Sequence, residues 1–186
     1  MRSLVPIIVA AAVLPVGTAS AAATARTLSF TKLLHGSAPV KGPFQLPLGT
    51  TALVIDSAET APSSSDSLLD EGSVAAIQRT PWRRRFVLGI FSTWPTRGYG
   101  IAVRRITVQQ IGGGLEQLCV VAAVKTPAPG RVVLQERTSV YDLVLVARDP
   151  AGSGAPHAVV VRGRDGRLLY WTRDGRPVRP DVCHAA

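Results

Sequence analysis

The chain has 186 residues, 46% hydrophobic and 18% charged, which is room for one core and too little for a multidomain enzyme. That balance excludes a disordered polyelectrolyte, a collagen and a coiled coil. Twenty-one Lys plus Arg against twelve Asp plus Glu give a formal charge of +9, and Asn is absent, so the surface suits anionic partners and offers no Asn-linked glycosylation acceptor.

Arg2 precedes an apolar run over 4–16, broken by Pro6 and Pro15, after which Ala19, Ser20, Ala21, Ala22 and Ala23 supply small side chains. This is the pattern of a secretory signal peptide over 1–23, with cleavage expected near Ala21 or Ala23. The run is short for a bilayer, and no other segment is longer and as apolar. The expectation is a secreted or extracytoplasmic protein of the cell envelope, with no membrane span once the leader is removed.

Residues 27–34 read as a strand, ended by the turn formers His35, Gly36 and Ser37 and by Gly42-Pro43. A second short strand covers 51–55, and 58–67 is a Ser-rich loop. Residues 68–78 hold the one helical pattern, with Leu69, Ala76 and Ile77 on one side. Trp82 and the run Arg83-Arg84-Arg85 lead into a compact apolar strand over 86–91.

Trp94-Pro95-Thr96-Arg97-Gly98-Tyr99-Gly100 then makes a tight loop. Ile101 and Val103 alternate as in a strand, but Ile106 and Val108 fall on the opposite parity, and a β-bulge at Arg104-Arg105 would return all four to one face. Gly112-Gly113-Gly114 predicts a hairpin into 115–124, which is apolar on both faces and therefore central. Cys119 lies in that strand. In an oxidising compartment it is able to pair with Cys183, and between Leu118 and Val120 it suits equally a buried core thiol; both readings stay open.

Thr126-Pro127-Ala128-Pro129-Gly130 turns the chain into 131–137, and 141–147 follows as another strand, so that 86–147 reads as four consecutive antiparallel strands. Past Gly152-Ser153-Gly154, the segments 159–162 and 168–171 flank Asp165-Gly166, a hairpin signal repeated at Asp174-Gly175. The predicted fold is all-β, mainly antiparallel and sandwich-like, with one short helix and a C-terminal β-meander. A β domain over 24–149 would be followed by a basic meander and tail over 150–186.

His35, His157 and His184 share no motif, and the chain has neither a His-Glu-x-x-His helix, nor a nucleophile elbow, nor a phosphate loop, nor a Cys pair at ligand spacing. Ser37 beside His35 lacks a third group to orient the base. The reading is a non-catalytic chain without metal or cofactor. An enzyme would require His35 or His157 to stand beside a carboxylate in a cleft. Six arginines between Arg162 and Arg179 face Asp165, Asp174 and Asp181, a solvated basic surface able to meet an anionic cell-envelope polymer rather than nucleic acid.

The order of segments over 86–147 resembles the C-terminal domain of PrcB-type protease-complex-assisting subunits. The residues that carry the likeness are Pro95-Thr96-Arg97-Gly98-Tyr99, the apolar strand over 118–124, Pro127-Ala128-Pro129-Gly130, Val132-Val133-Leu134-Gln135 and Tyr141. Arg97 and Arg131 depart from the family pattern. The resemblance implies an exported, non-catalytic β domain that docks on a partner protein, a protease by analogy. The docking residues would be Trp94, Pro95, Thr96, Arg97, Gly98 and Tyr99, with Pro127, Pro129 and Gly130. Pro-Thr-x-Gly-Tyr also resembles the wedge loop of chagasin-like cysteine-protease inhibitors, although Trp94 stands where those carry Asn. The residues themselves argue for a rigid loop. Pro95 restricts φ, Gly98 permits a positive φ, and Tyr99 brings a ring and a hydroxyl.

Overall fold

Alternating apolar side chains on the strands fold the chain into two sheets packed face to face. The computed structural model describes residues 25–39, 48–61, 69, 71–111, 115–148, 156, 158–172 and 180–183; the expected leader, His157, His184, Gly112-Gly113-Gly114 and Asp174-Gly175 lie outside them. The elements are β1 (Arg26–Thr27), β2 (Phe30–Pro39), β3 (Gly49–Ile55), α1 (Glu71–Gln78), β4 (Arg85–Trp94), β5 (Gly100–Gln110), β6 (Glu116–Lys125), β7 (Thr138–Ala147), β8 (Ala158–Gly163), β9 (Leu168–Trp171) and a 3-10 turn at Pro180–Val182. One sheet has the order β1-β5-β6-β8-β9 and the other β2-β7-β4-β3.

The fold is the all-β, mainly antiparallel sandwich with one short helix that the alternation predicts. Between the sheets lie Leu88 and Ile90 of β4, Ile101, Val103, Ile106 and Val108 of β5, Leu118 and Val120 of β6, Val144 and Val146 of β7, and Val161 of β8. The bulge falls where the phase slip requires it. Val103 pairs with Ala122 and Arg105 with Val121, leaving Arg104 as the extra residue, so both apolar pairs of β5 face the core.

The outer faces are covered as well, which explains strands that read as continuous apolar runs. On the β4–β7 side Leu69, Val74 and Ile77 pack against Ile55, Val87 and Leu143. On the β6–β8 side Cys119, Val160 and Cys183 form a small cluster with Leu168 and Trp171 beside it. Cys119 and Cys183 are disulfide-bonded with Cα atoms 5.4 Å apart, the ordinary spacing, so the alternative of a free core thiol is closed.

Three local expectations change. The strand expected over 27–34 is two strands: β1 pairs with β5, and β2 crosses to pair with β7. His35, Gly36 and Ser37 do not end it, because β2 stays laddered from Phe30 to Pro39 and an edge strand tolerates Gly and Pro. A Cβ on Gly36 would lie 2.7 Å from the Tyr141 hydroxyl oxygen, so a larger residue there would require the Tyr141 ring to shift. Residues 131–137 belong to no ladder, and the four strands expected to run consecutively are divided: β5 and β6 pair in one sheet, β4 and β7 in the other. Finally, the C-terminal strands extend the first sheet. β8 lies parallel to β6, and β9 returns antiparallel through the turn at Asp165-Gly166, where Gly166 has φ 80°.

The disulfide closes a separation of 64 residues, which in the chain-entropy model contributes about 4 kcal/mol. Cys183→Ser should therefore lower the urea-unfolding free energy by about 2–4 kcal/mol, and a variant as stable as the wild type would show that the bond contributes nothing.

Candidate functional site

Register brings the two loops named from the sequence to one end of the sandwich. In the β4–β7 ladder Trp94 is paired with Thr138, and in the β5–β6 ladder Gly100 is paired with Lys125. The chain leaves β4 at Trp94 and enters β5 at Gly100; it leaves β6 at Lys125 and enters β7 at Thr138. Both crossings between sheets therefore begin and end on neighbouring residues, and the loops 95–99 and 126–137 lie side by side. A segment that crosses from one sheet to the other belongs to neither ladder, which is why 131–137 is not a strand.

The first loop is closed on itself by its aromatic rings. Trp94 and Tyr99 stack with centroids 4.1 Å apart and planes within 2°. Tyr99 is half-buried against Trp94 rather than sunk in the core. Gly98 between them has φ 95°, and a Cβ there would come 3.2 Å from Pro127 Cγ and 3.5 Å from Val133 Cγ1. The turn and the neighbouring loop thus both require glycine.

The second loop is tied to the first by polar contacts. The Arg97 backbone N–H donates to the Leu134 carbonyl at 3.2 Å, and the Arg97 guanidinium is ion-paired with the Glu136 carboxylate, both side chains about half exposed. The Thr138 hydroxyl donates to the Glu136 carbonyl at 3.0 Å, and Arg131 N–H donates to the Ala128 carbonyl at 3.2 Å across the turn of Pro129 and Gly130. A cleft of about 350 Å³ opens beside this junction, lined by Ser37, Arg97, Gly98, Tyr99 and Thr138. Outside it, Val132 is 98% exposed and Leu134 63% exposed.

The structure thus assembles the candidates from both loops, with Pro127 at the contact and Pro95, Pro129 and Gly130 exposed. It adds Glu136 and Thr138, which the sequence reading did not single out, and Val132, Val133, Leu134 and Ser37, which it named without placing them at the docking surface. Residues 131–137 resemble a strand by composition, and nothing local to Ser37 or Thr138 announces their neighbours.

The structure also supplies a carboxylate for His35. Register sets His35 of β2 opposite Asp142 of β7, and Nδ1 lies 3.4 Å from Asp142 Oδ1. Asp142 is fully buried, whereas His35 is half exposed. The contact is an ion-pair distance without hydrogen-bond alignment, so Oδ1 has no aligned donor among the described residues. Oδ2 is better held, accepting the Val103 backbone N–H at 2.7 Å. An Asp in β7 on the parity of Val140 and Val144 was the signal that could have found it. His35 and Ser37 share a face of β2, and among the described residues no hydrogen bond joins them.

Several arginines are occupied within the fold. Arg85 donates to the Thr31 hydroxyl at 2.8 Å, Arg148 to the Trp82 carbonyl at 2.8 Å, and Arg162 to the Gly166 and Pro180 carbonyls at 2.6 and 2.7 Å. Among the described residues, no group of three His, Cys, Asp or Glu side chains could hold a metal ion, and no helix is long and apolar enough to cross a membrane. No family model, curated protein or solved structure matches the chain.

Two substitutions test this construction. Gly98→Ala should lower stability by about 1–3 kcal/mol, through its positive φ and the contact with Pro127, and should raise amide exchange in both loops. Asp142→Ala leaves the buried Val103 N–H without its acceptor and should cost about 1–3 kcal/mol in a denaturant titration.

Proposed function

We propose that this chain is an extracytoplasmic accessory protein that docks on a partner protein through the paired loops 94–100 and 126–137. One observation carries the reading. Two loops, the first closed by the Trp94–Tyr99 stack and joined to the second by the Arg97–Glu136 ion pair and the Arg97 N–H bond to the Leu134 carbonyl, present Val132 and Leu134 to solvent. A surface fixed before encounter loses little conformational entropy on binding, and exposed large apolar side chains beside it are costly to leave in water unless a partner covers them. The likeness of 86–147 to PrcB-type subunits supports a protease as that partner. The signal-like leader and the bond between Cys119 and Cys183 support an oxidising, exported setting.

The test is affinity capture from the culture medium of the protein's own source, comparing wild type with Val132→Asp combined with Leu134→Asp. Both side chains are exposed, so the variant should fold, and retention of the partner should fall by at least about tenfold, the loss of a hot spot. Equal retention by both proteins rejects the docking role. With the captured protease, a longer active lifetime marks an assisting subunit, whereas saturable loss of activity marks an inhibitor.

A further inference from the structure

We propose that residues 132–135 are a docking strand, to which the partner adds an extended segment with apolar side chains at alternate positions and carboxylates flanking them. This rests on the docking reading and specifies how the surface is used. Among the described residues, the backbone N–H groups of Val132, Val133, Leu134 and Gln135 meet no acceptor, and of their carbonyls only Leu134's is taken, by Arg97. In an extended segment successive main-chain groups point to opposite sides; with Leu134 turned to Arg97, the N–H and C=O groups of Val133 and Gln135 form the edge that an incoming strand completes with main-chain hydrogen bonds.

The side chains of Val132, Val133 and Leu134 alternate between outside and inside, and Gln135 beyond them is exposed. Val133 is turned in, toward Gly98, while Val132 and Leu134 are exposed. The edge is also held in place at both ends: Arg131 N–H is bonded to Ala128, and Glu136 is held by the Arg97 guanidinium and the Thr138 hydroxyl. Ordering it therefore costs the partner little.

Other edges of the sandwich are poorer templates. β2 carries Lys32, a bulge between Lys32 and Leu34, and Pro39, the devices that discourage edge pairing. β1 has 2 residues and β9 has 4. The 7-residue edge strand β3, with Leu53 exposed, remains as an internal comparison. Charge selects the partner's chemistry. Exposed Arg131 immediately precedes the segment, exposed Lys125 lies on the same end, Arg97 and Glu136 there neutralise each other, and the chain carries a formal +9. A second copy would bring the same charge, whereas an acidic segment would be attracted.

The probe is a synthetic eight-residue peptide alternating Val with Glu, studied by fluorescence anisotropy and by amide hydrogen exchange of the full chain. Binding should slow exchange at Val133 and Gln135 by at least about tenfold and leave β3 unchanged. Affinity should fall by about tenfold or more for the Val132→Asp, Leu134→Asp variant, for a peptide N-methylated at alternate residues, and for one with Lys replacing Glu. No binding at millimolar peptide, protection at β3 instead, or equal affinity for the N-methylated peptide overturns the proposal. The two readings separate on the captured partner. If the double variant loses that partner but its complex with wild type leaves Val133 and Gln135 unprotected, docking stands and strand addition falls; retention by the double variant removes both.

Discussion

Two ladders that end together determine where this molecule presents its surface. Because Trp94 is paired with Thr138 and Gly100 with Lys125, the chain must pass between sheets twice at one end of the sandwich, over adjacent paths. Everything at the candidate site follows from that constraint. The stack of Trp94 on Tyr99, the contact of Gly98 with Pro127 and the pairing of Arg97 with Glu136 are local consequences of two crossings forced into contact. Neither loop has a helix or ladder of its own, so each relies on the other for its shape.

The same geometry accounts for the one fully buried carboxylate of the sandwich core among the described residues. Asp142 faces inward on β7, where an apolar side chain would ordinarily sit, and its Oδ2 takes the backbone N–H of Val103 just before the β5 bulge. Buried polar groups are tolerated when hydrogen-bonded, and this carboxyl links the two sheets directly while His35 approaches its second oxygen from the edge strand. The bulge restores the parity of β5, and Asp142 bonds the backbone beside it. Packing and polar satisfaction meet at the same few residues.

The disulfide has a comparable role at the other face. β8 and β9 extend the first sheet, and the bond from Cys119 to Cys183 holds the segment around Pro180–Val182 against that sheet's outer side. Arg162 adds a second tie to the same segment through the Pro180 carbonyl. An Arg that reads from sequence as part of a solvated basic surface is therefore partly a structural donor, as are Arg85 and Arg148.

The all-β class, the bulge at Arg104, the central position of β6 and the Asp165-Gly166 hairpin were legible in the sequence, because each depends on parity or turn chemistry within a few residues. The loop 94–100 was legible for the same reason: Pro95, Gly98 and Tyr99 act on their own backbone. Which strands share a sheet was not legible, since β4, β5, β6 and β7 alternate alike whether they form one meander or two layers. Only tertiary packing divided them, by requiring both faces of β4 and β7 to be covered. That division turned 131–137 from an expected strand into a crossing, brought Pro127 to Gly98, and set His35 opposite Asp142. Alternation records which side of a strand is buried, whereas the partner across the interface is chosen by contacts between residues far apart in the chain.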